Sequence, residues 1–109
     1  MEHISEFKES NYRDFYSMVD FVNSIGNTIK VRSWGAHAWT KMNDKLLRFM
    51  VHARRHKGHI YVAVNGLDLF DVFLTTTKGK IKKTFENIYI EDFIDIVDNE
   101  IENIPEYTD

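Results

Sequence analysis

Between residues 34 and 86 the apolar residues tend to recur at every second position. The run is interrupted by Asn43-Asp44, Lys57-Gly58, Asn65-Gly66 and Lys78-Gly79. A period of two is that of a pleated strand, whose successive side chains point to opposite faces. Asn-Asp, Asn-Gly and Lys-Gly pairs supply the backbone freedom that tight turns need. The pattern predicts strands near 34–42, 45–55, 59–64, 67–76 and 80–86. Strands joined this closely run antiparallel, because a parallel partner requires a crossover of a dozen or more residues.

On either side of this block the period changes to that of a helix. Tyr12, Phe15, Val19 and Val22, with Met18 and Ile25 half a turn away, predict a helix from about Asn11 to Ile25. Ser10 or Asn11 would cap it and Gly26-Asn27 would end it. Phe93, Ile94, Val97, Ile101 and Ile104 predict a second helix from about Glu91 to Ile104. Its Glu91 and Asp92 lie at the end where the helix dipole favours negative charge, and Pro105 follows its end. The expected fold is a single α+β domain over residues 1–109. It has two layers: a five-stranded, mainly antiparallel meander sheet, and the N- and C-terminal helices packed on one of its faces.

Strand parity assigns the faces. A two-residue turn at Asn43-Asp44 would set Trp39 against Arg48. One at Lys57-Gly58 would set Arg54 against Tyr61 and His56 against His59. At Asn65-Gly66 a two-residue type I′ turn would put the apolar residues of neighbouring strands on opposite faces. A three-residue loop, Val64-Asn65-Gly66 with Gly66 left-handed, keeps them together. Leu47, Phe49, Val51, Ile60, Val62, Val64, Phe70, Val72 and Leu74 then form one apolar layer beneath the helices. The opposite face carries His37, Trp39, Lys41, Arg48, Met50, His52, Arg54, His59, Tyr61, Asp71, Phe73 and Thr75, and is expected to be open.

The charges are segregated along the chain. Residues 28–59 carry a net charge of +7 and four of the five histidines, residues 84–109 carry −9, and the whole chain carries −3. A chain with 14% aromatic residues can build a core, unlike disordered chains, which are poor in aromatics. With no cysteine it has no disulfide framework and no thiolate nucleophile or metal ligand. The N-terminal residues lack a signal-peptide pattern, and no apolar run approaches the ~20 residues of a membrane span. The expected location is cytoplasmic, with no membrane association.

Trp39, Arg48, His52, Arg54, His59 and Tyr61 are the candidate binding residues. Cations beside aromatic rings on an open sheet can hold a protein partner. They can also hold single-stranded nucleic acid, the cations neutralising phosphates and the rings stacking on bases. The plainer alternative is that such cross-strand pairs only stabilise the sheet, by ~0.5–1 kcal/mol each when exposed. Metal binding by His52, His56 and His59 lacks helical ligand spacing and thiolates, so no metal and no cofactor is expected. A metal-independent ribonuclease could be built from His37, His52 and Arg54, but no catalytic motif accompanies them. The acidic helix reads first as a solvated face. A sharper reading makes it a surface for a basic partner or a second copy. The sequence thus leads to a small non-enzymatic binding or regulatory module that engages a protein, or itself, through a basic-aromatic sheet face. A single-stranded nucleic-acid binder is the first alternative and a ribonuclease-like enzyme the second.

Overall fold

A computed structural model describes residues 1–102. After two 3-10 turns, Ile4–Glu6 and Glu9–Asn11, the strands are β1 Tyr12–Arg13, β2 His37–Asn43, β3 Leu46–His52, β4 Lys57–Asn65, β5 Phe70–Thr75 and β6 Ile81–Ile88. The helices are α1 Met18–Gly26, α2 Ile29–Ser33 and α3 Ile90–Ile101. The five longer strands form an antiparallel meander in the order β2-β3-β4-β5-β6, and β1 pairs with the end of β4. The expected α+β architecture, with its antiparallel meander sheet, is present.

The N-terminal helix is shorter than its periodicity suggests. Ser17, not Ser10 or Asn11, is the cap, accepting a hydrogen bond from the Asp20 amide at 3.2 Å. Tyr12 and Arg13 instead pair with Asn65 and Val64. With Tyr12 and Phe15 outside the helix, the stripe that matters is Met18, Phe21 and Ile25. Phe21 and Ile25 are buried, while Val19 is 69% exposed. The helix ends at Gly26-Asn27 as expected. A further helix, α2, occupies positions between the first predicted helix and the first predicted strand, where no element was expected. It is too short to declare a period, and it delivers Val31 and Trp34 fully buried into the core. α3 buries Phe93, Val97 and Ile101; the predicted Ile104 and Pro105 lie outside the described residues.

The apolar layer forms as parity requires. Leu47, Phe49, Val51, Ile60, Val62, Val72 and Leu74 are buried in one cluster with Phe21, Ile25, Phe93 and Val97. The turns that produce it differ in position. Tyr61 opposes Arg48 rather than Arg54, and Val51 opposes Gly58. The β3–β4 connection runs through Ala53–His56, closed by the Ala53 amide donating to the His56 carbonyl at 3.0 Å. Tyr61 has moved by an even number of residues, so the paired side chains of β3 and β4 keep their predicted faces. Gly58 therefore lies within a strand, where a Cβ would strike the Thr75 carbonyl. The β4–β5 loop is also three residues long, but it is Gly66-Leu67-Asp68, with the Asn65 amide donating to the Leu69 carbonyl at 2.8 Å. The left-handed residue there is Asp68 (φ 60°), not Gly66.

The second sheet face is not fully open. The N-terminal segment crosses it and packs Ile4, Phe7 and Tyr12 on Leu46, Tyr61, Ala63 and Phe73. Phe7 stacks on Tyr12 with ring centroids 4.6 Å apart and meets Phe73 edge-on at 6.3 Å. The Tyr12 hydroxyl donates to Asp71 Oδ2 at 2.9 Å. Asp71 Oδ1 accepts from Asn65 Nδ2 at 2.9 Å and from the Asn87 amide at 3.0 Å. Backbone bonds from Ile4 to Gly79 and from Ile81 to Glu2 fix the far end of the segment.

Candidate functional site

The part of the second face that the N-terminal segment leaves uncovered is a short basic strip. Alternation along β3 places Arg48, Met50 and His52 on it, and alternation along β4 places Lys57 and His59. β2 contributes His37, opposite Met50, and Thr40, opposite Arg48. His59 faces Thr75 of β5.

The predicted residues separate into three groups. Arg48, His52 and His59 lie on the strip. Tyr61 is on the same face but is buried under the N-terminal segment. Trp39 and Arg54 are not on the strip at all. The register of β2 on β3 shifts between His37 and Thr40, around Ala38 with φ 55°. A bulge of this kind reverses parity. It turns Trp39 to the helix side, where its ring stacks on Phe49 at 4.2 Å. Arg54 falls in the turn beyond β3. Its backbone amide donates to Glu102 Oε1 at 3.3 Å, and its Nε lies 3.7 Å from Glu102 Oε2. Of the residues considered for a ribonuclease, His37 and His52 share the strip and Arg54 does not. Thr40 and Lys57 are strip residues that the sequence reading did not select. Recognising Thr40 requires knowing of the bulge, and Lys57 requires knowing that Gly58 is in a strand.

The electrostatics set this strip apart. Much of the charge segregation along the chain is answered inside the fold. Acidic α3 lies against the basic segment: Lys30 pairs with Asp95 at 2.8 Å, Arg54 with Glu102, and Lys83 with Glu100 at 4.0 Å. Trp34 Nε1 donates to Asp98 at 2.8 Å. Asp95, Asp98, Glu102 and Asn99 also line a shallow depression of about 540 Å³ beside Lys30. Exposed pairs of this kind contribute little stability, ~0–1 kcal/mol each, but they cancel much of the field on that side. On the strip, among the described residues, no carboxylate comes within ion-pair distance of Arg48, His37, His52, Lys57 or His59.

Two nitrogens there also lack partners among the described residues. Arg48 Nε and His59 Nδ1 are buried and have no hydrogen-bond partner, alone among the buried side-chain atoms of the described residues. His59 is only 9% exposed. Its pKa is lowered, first by burial and then by the neighbouring charges of Arg48 and His56. His56, buried beside Gly58, donates from Nε2 to the His59 carbonyl at 3.2 Å; burial lowers its pKa too, against the opposing effect of that bond. His37 Nδ1 donates to the Gly35 carbonyl at 2.6 Å.

Among the described residues, no group of three or more His, Asp or Glu is disposed to hold a metal ion, and no helix is long and apolar enough to cross a membrane. Compared with known proteins, the chain matches no family model, no curated protein and no solved structure.

Proposed function

We propose that the protein is a non-enzymatic, cytoplasmic binding module, and that its working surface is the basic strip formed by Arg48, His52, Lys57 and His59 with His37 and Thr40. The partner is an acidic segment of another protein. What carries this reading is the pair of buried nitrogens, Arg48 Nε and His59 Nδ1, without hydrogen-bond partners among the described residues and where no carboxylate of those residues reaches. A buried unmade hydrogen bond costs ~1–3 kcal/mol, so these two nitrogens are where a hydrogen-bonding partner, water or an acidic side chain, is most favoured.

The same geometry weakens the nucleic-acid alternative. Single strands are held by exposed rings as well as cations. Trp39 is stacked on Phe49, and Tyr61 lies under the N-terminal segment, so the strip presents positive charge without a stacking platform. A polypeptide carboxylate needs no platform.

Fluorescence anisotropy tests the reading with two probes at low and high salt: a labelled glutamate-rich polypeptide and a mixed-sequence oligonucleotide. The polypeptide is expected to bind in a salt-sensitive way and to be lost with His52→Glu and Lys57→Glu together. Both positions are exposed, so the fold is retained. Failure to bind the polypeptide at low salt, or binding that the double charge reversal leaves unchanged, overturns the assignment. Tight binding of the oligonucleotide alone transfers the strip to the nucleic-acid reading.

A further inference from the structure

The strip contains something more specific than positive charge. Arg48 and His59 are diagonal neighbours on one sheet face: Arg48 opposes Tyr61, and His59 is two residues before Tyr61 on β4. Side chains in that relation lie within reach of one another. Each carries a buried nitrogen with no partner. We propose that Arg48 and His59 form a seat for a single oxyanion, a carboxylate or a phosphate group presented by a side chain of the partner. This deepens the binding role proposed for the strip and rests on it.

The chemistry suits an oxyanion and little else. A guanidinium donates and cannot accept, so Arg48 Nε requires an acceptor. An imidazole can donate from Nδ1 in one neutral tautomer and from both nitrogens when protonated. One tetrahedral or planar oxyanion offers several lone pairs and can accept from both groups at once through charge-assisted bonds. No carboxylate of the described chain is placed to do this. The groups around His59 favour the anion as well. Besides Met50, which opposes it from β3, Arg48 lies diagonally from it on β3, Thr75 opposes it from β5, Tyr61 meets it edge-on at 6.0 Å, and His56 bonds its carbonyl. Two of these five can carry positive charge and none is acidic. In the free protein burial, and then the charges of Arg48 and His56, lower the His59 pKa, and a bound anion would oppose that shift.

The two residues also oppose stability and binding to each other. Replacing His59 by Phe keeps a ring of similar shape and removes a buried nitrogen that nothing satisfies. Substitutions of this kind are neutral or stabilising in the free protein. The same change removes one of the two donors of the seat.

The experiment titrates the whole protein with inorganic phosphate and, separately, acetate, following the Arg48 Nε–H and the His59 ring nitrogens by NMR. Saturable shifts confined to these groups are expected, and phosphate should raise the pH at which His59 titrates. Arg48→Lys, which keeps the charge but loses the fixed fork, should weaken phosphate binding by roughly ten- to a hundredfold. His59→Phe should weaken it to a similar degree without lowering the denaturation midpoint. A glutamate-containing peptide and the same peptide with one phosphoserine then separate the two sources of the group, since the source that seats must compete with phosphate. Shifts that never saturate, or binding unchanged by both substitutions, overturn the seat. So does a crystal structure in phosphate with a water bridging Arg48 Nε and His59 Nδ1. If the seat fails while His52→Glu with Lys57→Glu still abolishes polypeptide binding, the strip reading survives. If phosphate seats but neither peptide competes and no acidic polypeptide binds, the strip reading falls, and with it the seat as a site for a partner's side chain.

Discussion

Removing one oxygen should show what holds the N-terminal segment over the sheet. In Tyr12→Phe the ring remains and can keep its stacking on Phe7, so only the hydroxyl bond to Asp71 Oδ2 is lost. Asp71 is buried. Its Oδ1 keeps the Asn65 and Asn87 donors, but Oδ2 loses the one bond it makes. A hydrogen bond to a charged group contributes ~1.5–3 kcal/mol net. For a domain of this size that loss corresponds to a fall of about 6–12 °C in Tm, at about 4 °C per kcal/mol. Urea denaturation of the wild type and the variant gives the difference directly, with an unchanged slope showing that the unfolding unit is the same. The effect also carries a pH signature. Burial and the bond to Asp71 raise the Tyr12 pKa, so the folded protein keeps a proton that the unfolded chain gives up near pH ~10. The stabilisation from Tyr12 is therefore complete below that pH and is lost as pH rises above it. The alkaline fall in stability should be shallower in Tyr12→Phe. A variant within about 0.5 kcal/mol of wild type at neutral pH would refute the reasoning, and the segment would then be held by its apolar contacts and backbone bonds alone.

Two other expectations concern the histidines and the core. The pKa values of His56 and His59 are lowered, in each case chiefly by burial, so the unfolded chain binds protons more readily than the folded one. Stability should be full above the unfolded histidine value of ~6.5 and should fall as pH drops below it, with a smaller fall in His56→Gln; equal urea midpoints for the wild type at pH ~7.5 and ~5 would contradict this. Leu74→Ala should cost about 2–4 kcal/mol because Leu74 sits in the buried layer, whereas Val19→Ala should cost less than about 0.5 kcal/mol because Val19 points to solvent. Similar denaturation midpoints for the two variants would remove the assignment of the helix face.

The sequence by itself determined the succession of strands, the α3 stripe of Phe93, Val97 and Ile101, and which strand residues share the core face. All three follow from local period. The facing of β3, β4 and β5 survives even though the predicted turns are displaced, because the displacements preserve parity. Only the tertiary structure decided the register itself, and with it the site. Gly58 reads as a turn in isolation, but it lies in β4 opposite Val51, at a place where any Cβ would strike the Thr75 carbonyl. A single bulge at Ala38 carries Trp39 from the face predicted for it to the other, an effect of one residue that no periodicity records. The cover over Tyr61 is made by Phe7 and Tyr12, whose segment lies far from β4 in sequence and has too few residues to declare its partner. Acids of α3 and Glu102 just beyond it face Lys30, Arg54 and Lys83 across the fold, so part of the basic segment is answered, while among the described residues the strip around Arg48 and His59 has no ion pair. Local pattern is fixed by a few neighbouring side chains and is legible along the chain. Register, cover and charge compensation depend on contacts between residues far apart in sequence, and those are settled only when the chain closes on itself.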